Sequence, residues 1–195
     1  MEDYTIVHAE LRQQALAALA RLTKADREER TQAVEARLFD FANFLEARIV
    51  MMYIAAEGEV DTYHMIQRAF EYHKIVVLPA FDAQRKEIQL FKIDSLENDL
   101  RSGASGAAEP DVQRCRPVPL DVVDIAILQA MALDEKGGRI GRGGRHFDRL
   151  IPMLAVTTRK VALGFEEQIL PQIPMESHDK YVDIIITNQR TIYKI

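Results

Sequence analysis

Residues 137–149, GGRIGRGGRHFDR, hold five of the chain's nine glycines, four arginines and a single acid, Asp148. Glycine lets a backbone take positive φ and approach a ligand with no Cβ in the way. Arginine presents a planar fork of donors matched to phosphate or carboxylate. Together they read as a flexible collar around an anion, with Asp148 left over to meet a cation. A solvated basic turn or a scrap of arginine-glycine RNA-binding tract has the same composition. Such tracts repeat and lack aliphatic flanks, whereas this stretch occurs once, between apolar residues 122–128 and Leu150-Ile151. That context favours a phosphate site built into a folded core.

The stretch is not a P-loop, which needs a lysine followed by serine or threonine at a helix opening. Nor is it the dinucleotide fingerprint: Gly141 and Gly143 supply the first two glycines, and His146 stands where the third belongs. It does follow an apolar run of strand length. In an open α/β sheet, ligands bind beyond the carboxyl ends of the strands.

The elements that must position it are legible as periodicity. Leu11, Ala15, Ala18, Leu19 and Leu22 share one face of a helix over residues 4–22. Thr23 with Asp26 forms a capping box that opens a second helix through Ala33, Val34, Leu38, Phe41 and Leu45. Residues 48–54 and 74–79 read as strands covered on both faces, and 87–93 (EIQLFKI) as a strand with one wetter face. Asp61 or Thr62 caps a helix carrying Met65, Ile66, Ala69 and Phe70. Residues 101–121, with glycines, prolines and no periodicity, read as a long surface loop. Further strands are expected over 122–128, 160–165 and 182–187, with 191–194 as an edge and a short helix over 147–153. This alternation predicts one layered α/β domain over residues 1–195 with a mainly parallel, Rossmann-like sheet.

The chain has 195 residues, 48% hydrophobic and 28% charged, with a net charge of −5. The acidic balance argues against a dedicated nucleic-acid binder. One cysteine, Cys115, leaves no intramolecular disulfide and fits a reducing cytoplasm. Acids at Glu2, Asp3 and Glu10 argue against a signal peptide, and no apolar run approaches membrane-spanning length. His64, His73 and His178 show no metal-ligand spacing, and Met51 and Met52 read as core.

GGRIGRGGRHFDR resembles the signature of the 5-formyltetrahydrofolate cyclo-ligase family, and other pieces follow in that family's order. Leu11-Arg12 is similar to its N-terminal element, residues 57–62 (EGEVDT) to its acidic turn at a strand end, and Gly106 with Glu109-Pro110 to its loop. Gln168, Ile173-Pro174, Asp179 and Val182-Asp183 resemble its C-terminal element. The resemblance implies ATP- and Mg2+-dependent conversion of 5-formyltetrahydrofolate to 5,10-methenyltetrahydrofolate through a phosphorylated formyl intermediate. It implies nucleotide contacts from His8, Arg12, Arg139, Gly141, Arg142, Gly143, Gly144, Arg145, His146 and Asp148, with Arg142 and Arg145 catalytic. Ile54, Glu59, His146 and Phe147 would hold the folate, and Asp148 and Asp179 the Mg2+. The expected partners are a reduced folate and ATP, with no membrane or nucleic acid, in a monomer or weak homo-oligomer.

Three departures bear on this reading. His8 replaces the family's N-terminal lysine, His146-Phe147 its two tyrosines, and Gln129-Ala130 its proline-glycine after the central strand. Ser105, Ala107 and Ala108 stand for bulky loop residues. The phosphate side is mostly retained and the folate side remodelled. The alternative is a nucleotide-dependent relative that acts on another small molecule or binds folate without closing the ring.

Overall fold

The computed structural model describes residues 4–82, 87–103, 108–143, 146–176 and 179–194. Three helices come first, α1 (Tyr4–Leu19), α2 (Lys24–Asp40) and α3 (Ala42–Glu46), followed by β1 (Ile49–Met51) and α4 (Tyr63–Glu71). Next are β2 (Ile75–Asp82), β3 (Glu87–Ile93), β4 (Leu100–Ser102), β5 (Ala108–Pro110) and β6 (Arg116–Val118). β7 (Ile125–Leu128), β8 (Ala132–Asp134) and β9 (Arg139–Ile140) lead into α5 (His146–Leu150). The last strands are β10 (Arg159–Leu163), β11 (Ile169–Leu170), β12 (Ile184–Ile186) and β13 (Thr191–Tyr193).

The main sheet runs β13-β12-β10-β7-β1-β2-β3-β6. Its five middle strands, β12 to β2, are parallel, and β13, β3 and β6 add antiparallel edges. This is the mainly parallel α/β sheet the alternating runs predict. All four residues of β7 are buried, as expected of a strand covered on both faces. Val34 and Leu38 of α2 and Met65, Ile66 and Ala69 of α4 belong to the same core. The Thr23 capping box forms: Asp26 N donates to Thr23 Oγ1 at 3.1 Å, and Thr23 N donates to Asp26 Oδ2 at 2.8 Å.

Several expectations are corrected. The first helix stops at Leu19, and the second at Asp40, short of Phe41 and Leu45. Only three residues of the 48–54 run pair as strand; Met52 and Tyr53 stay buried in the irregular segment that follows. Residues 101–121 are not all loop: β4 pairs with β5, and β6 pairs with β3. A small second sheet, β11-β8-β9, stands beside the main one, and α1 packs on it through Ala15 against Ala132, Ile140 and Leu170. That contact brings Arg12 to the glycine-arginine stretch.

Lys74 supplies a test of the fold. Its Nζ is buried and donates to Phe44 O, Leu45 O and Ala47 O at 2.6, 3.1 and 2.8 Å, satisfying carbonyls at the end of α3. Lys74→Met leaves those acceptors unpaired and is expected to lower stability by about 2–3 kcal/mol in urea unfolding. Among the described residues no helix is long and apolar enough to cross a membrane.

Candidate active site

The glycine-arginine stretch begins as the β8–β9 hairpin, and one buried carboxylate shapes it. Asp134 accepts from Lys136 N and Gly138 N through Oδ1, at 2.9 and 2.8 Å, and from Ile173 N through Oδ2 at 2.7 Å. A Cβ on Gly138 would stand 2.7 Å from that carboxylate, so only glycine admits the approach. Gly137 has φ 87°, and a Cβ there would meet Val182 O at 2.4 Å. The glycines thus close a turn against the C-terminal segment, beyond the end of β7.

The hairpin turns Arg139 inward. Its side chain is 2% exposed; Nη1 donates to Gln129 O at 3.0 Å, and Nη2 pairs with Asp148 Oδ1. Burial pushes the guanidinium pKa down, against the opposing charges of Asp148, Asp179 and Glu59. The Arg139 Nε has no partner among the described residues. Arg139 therefore lies beneath the collar, tying β7 to α5.

Arg12 and Arg142 face outward. Arg12 Nε donates to Gly141 O at 2.8 Å, fastening α1 to the loop. Arg142 Nε donates to Glu59 Oε1 at 3.0 Å, and its Nη2 donates to Glu57 O. A cleft of about 500 Å³ lies between α1 and the loop, with Arg12, Arg27 and Arg142 on its walls beside Glu57 and Gly58. Three guanidinium groups, one of them paired with Glu59, stand beside the Glu57 carboxylate, a balance that still suits a polyanion.

Arg142 also borders a second, more apolar cavity of about 250 Å³. Ile54, Glu59, His146 and Phe147, all expected to hold one ligand, line it together with Gln129 and Phe81. The Phe81 ring lies 4.5 Å from His146 and 5.8 Å from Phe147, centroid to centroid, at interplanar angles of 43° and 67°, so the three rings form an angled aromatic wall. The Glu59 side chain is only 3% exposed. Burial pushes its carboxyl above the usual carboxylate range, opposed by the Ala56 N–H and the charges of Arg142 and Arg139.

The remaining candidates stand elsewhere. The His8 ring sits 3.9 Å from that of Tyr4, and its Nε2 donates to Pro174 O at 2.7 Å. Tyr4 donates to Asp179, which also accepts from Glu176 N at 2.9 Å. His8, Asp148 and Asp179 line neither cavity, though Asp148 and Asp179 both act on Arg139. Among the described residues no group of three or more His, Cys, Asp or Glu side chains converges on a metal position. Gly106, Gly144, Arg145 and His178 lie outside the described residues.

Sequence reasoning missed Asp134 and gave Arg27 no part. The signal for Asp134 was present: an aspartate three residues ahead of paired glycines marks a tight turn whose carboxylate can cap backbone N–H groups.

The sequence profile of the 5-formyltetrahydrofolate cyclo-ligase family matches residues 5–188. The 5-formyltetrahydrofolate cyclo-ligase of Mus musculus is 25% identical over 188 residues, covering 92% of this chain and 91% of the mouse protein. That of Escherichia coli K12 is 25% identical over 167 residues, covering 85% and 92%. The NMR structure of 5,10-methenyltetrahydrofolate synthetase from Aquifex aeolicus superposes with a TM-score of 0.84 at 26% identity, covering 96% and 93%. With the match running from α1 past β12, all of the main sheet except its edge strand β13 falls inside it together with both cavities, and the chain belongs to the 5-formyltetrahydrofolate cyclo-ligase family.

Proposed function

We propose that this protein converts 5-formyltetrahydrofolate to 5,10-methenyltetrahydrofolate at the expense of ATP, with nucleotide in the arginine-lined cleft and pterin in the Glu59 cavity. The observation that carries the reading is Arg142, which borders both cavities and so stands where a phosphate and a heterocycle would meet. The formyl oxygen attacks the γ-phosphorus; an O–P bond forms, the bond to the bridging oxygen breaks, and ADP leaves. The neighbouring amine nitrogen of the folate then attacks the activated carbon, loses its proton, and phosphate departs with the former formyl oxygen. No protein nucleophile is needed, and positioning with charge stabilisation supplies the rate.

In this reading Arg12 and Arg142 hold phosphate oxygens, and Arg142 meets the charge that develops during transfer. Glu59 accepts paired hydrogen bonds from the amino and ring N–H groups of the pterin, between Ile54 and Phe147. Arg139 positions Asp148 from below. Asp148 and Asp179, whose charges both act on the buried Arg139 guanidinium, are the residues that would hold a Mg2+. Such an ion supplies neutralisation of phosphate charge. The family resemblance further assigns His8, Gly141, Gly143, Gly144 and Arg145 to the nucleotide, with Arg145 as a second catalytic cation, and His146 to both ligands. A single domain working in the cytoplasm, as a monomer or weak homo-oligomer, agrees with the acidic charge and lone cysteine.

The test is an assay of purified protein with 5-formyltetrahydrofolate, ATP and Mg2+, following the methenyl chromophore. Turnover that requires both ATP and metal is expected. Retained ATP binding without turnover would overturn the reading and point to a different acceptor.

A further inference from the structure

The smaller cavity has a polar group that nothing described so far uses. Gln129 follows β7, the central strand, and its main chain is fixed by the Arg139 guanidinium on its carbonyl. The residue is 8% exposed and lines the cavity, yet its Oε1 is buried without a donor among the described residues. The other buried polar side chains on that wall are engaged: Glu59 accepts from Ala56 N and Arg142, and Tyr53 donates to Val60 O. A buried amide oxygen with no partner costs about 1–3 kcal/mol, so native proteins keep one where something else completes it.

We infer that Gln129 is a specificity-determining residue whose side-chain oxygen accepts a hydrogen bond from an N–H of the bound heterocycle. The inference rests on the smaller cavity being the pterin pocket. A reduced pterin carries N–H donors on both of its rings, and a single carboxylate can pair with only one edge. Glu59 takes the amino edge, and Gln129 takes a donor that Glu59 does not reach. A ligand that lacks the matching N–H leaves the acceptor as orphaned as it is in the free protein, so only a donor-bearing ligand gains from it.

The experiment measures 5-formyltetrahydrofolate binding by calorimetry and melting temperature without ligand, for the wild type, Gln129→Met and Glu59→Gln. Gln129→Met is expected to weaken folate binding by about three- to tenfold, the worth of one hydrogen bond. ATP affinity should be unchanged, and the ligand-free melting temperature unchanged or raised, since an orphaned acceptor is removed. Weaker binding with a lower melting temperature would make the amide structural and overturn the inference. Wild-type affinity in Gln129→Met, with binding lost in Glu59→Gln, would overturn it and leave the pocket reading standing. Wild-type affinity in both variants, or a wild type that binds no folate, would overturn the pocket reading with it.

Discussion

Glu59→Gln is expected to lower kcat/KM for 5-formyltetrahydrofolate by about two orders of magnitude, from losing two charge-assisted hydrogen bonds worth roughly 1.5 kcal/mol each. The same carboxylate sets a pH dependence. Burial holds its pKa above the usual range, so folate binding that needs the ionised form should fail on acidification earlier than an exposed glutamate would dictate. Arg142 pulls that pKa down, so Arg142→Met should move the midpoint to higher pH. Calorimetric folate titrations across pH read this without turnover. Stability runs the other way. A carboxyl whose folded pKa is raised contributes fully at pH below its unfolded value, and the contribution is lost as pH rises through the folded one. At neutral pH Glu59 therefore works against the fold, and Glu59→Gln should melt higher while binding less. A variant with wild-type binding at every pH would remove Glu59 from the site.

Asp134→Ala has the largest expected effect on stability. It strips the acceptor from three N–H donors, those of Lys136, Gly138 and Ile173, in a residue 1% exposed. At about 1–3 kcal/mol for each buried donor, a loss of roughly 4 kcal/mol in urea unfolding is expected. Asp134→Asn keeps one oxygen but points an NH₂ group at a donor, and should fall between the two. Because the hairpin carries Arg139 and leads to Arg142, Asp134→Asn should also reduce kcat where the protein remains folded. Wild-type unfolding midpoints in both variants would mean that the backbone alone shapes the turn.

The parts of this fold that were legible in the sequence are those dictated by short-range chemistry. EIQLFKI alternates and forms β3 over those seven residues, and Thr23 with Asp26 closes the capping box its spacing implies. Strand length was less legible at residues 48–54, where the apolar run serves both a strand and the buried irregular segment after it, and composition does not separate the two. β4, β5 and β6 were hidden because three-residue strands among prolines carry no detectable period. In the candidate site, Ile54, Glu59, His146 and Phe147 do meet around one cavity. The inward turn of Arg139 was not legible: an arginine among glycines reads as exposed, and its burial depends on Asp148 and on a carbonyl of β7's extension. The empty valence of Gln129 was likewise invisible, since a missing partner is a property of packing in three dimensions.

Three of the ties around the collar depend on residues that come later in the chain than the collar itself. Ile173 N seals Asp134, Val182 N donates to Gly137 O at 2.9 Å, and Asp179 joins Tyr4 across a separation of 175 residues. A growing polypeptide therefore presents its arginine-rich hairpin before any of these partners has been made. The β1, β2 and β7 portion of the sheet can pair first, since its strands are complete by residue 128. The collar must wait for the closing of the chain's longest loops, the slow kind of step in folding. The order of synthesis thus places the completion of the arginine-lined surface at the end of the assembly of this fold.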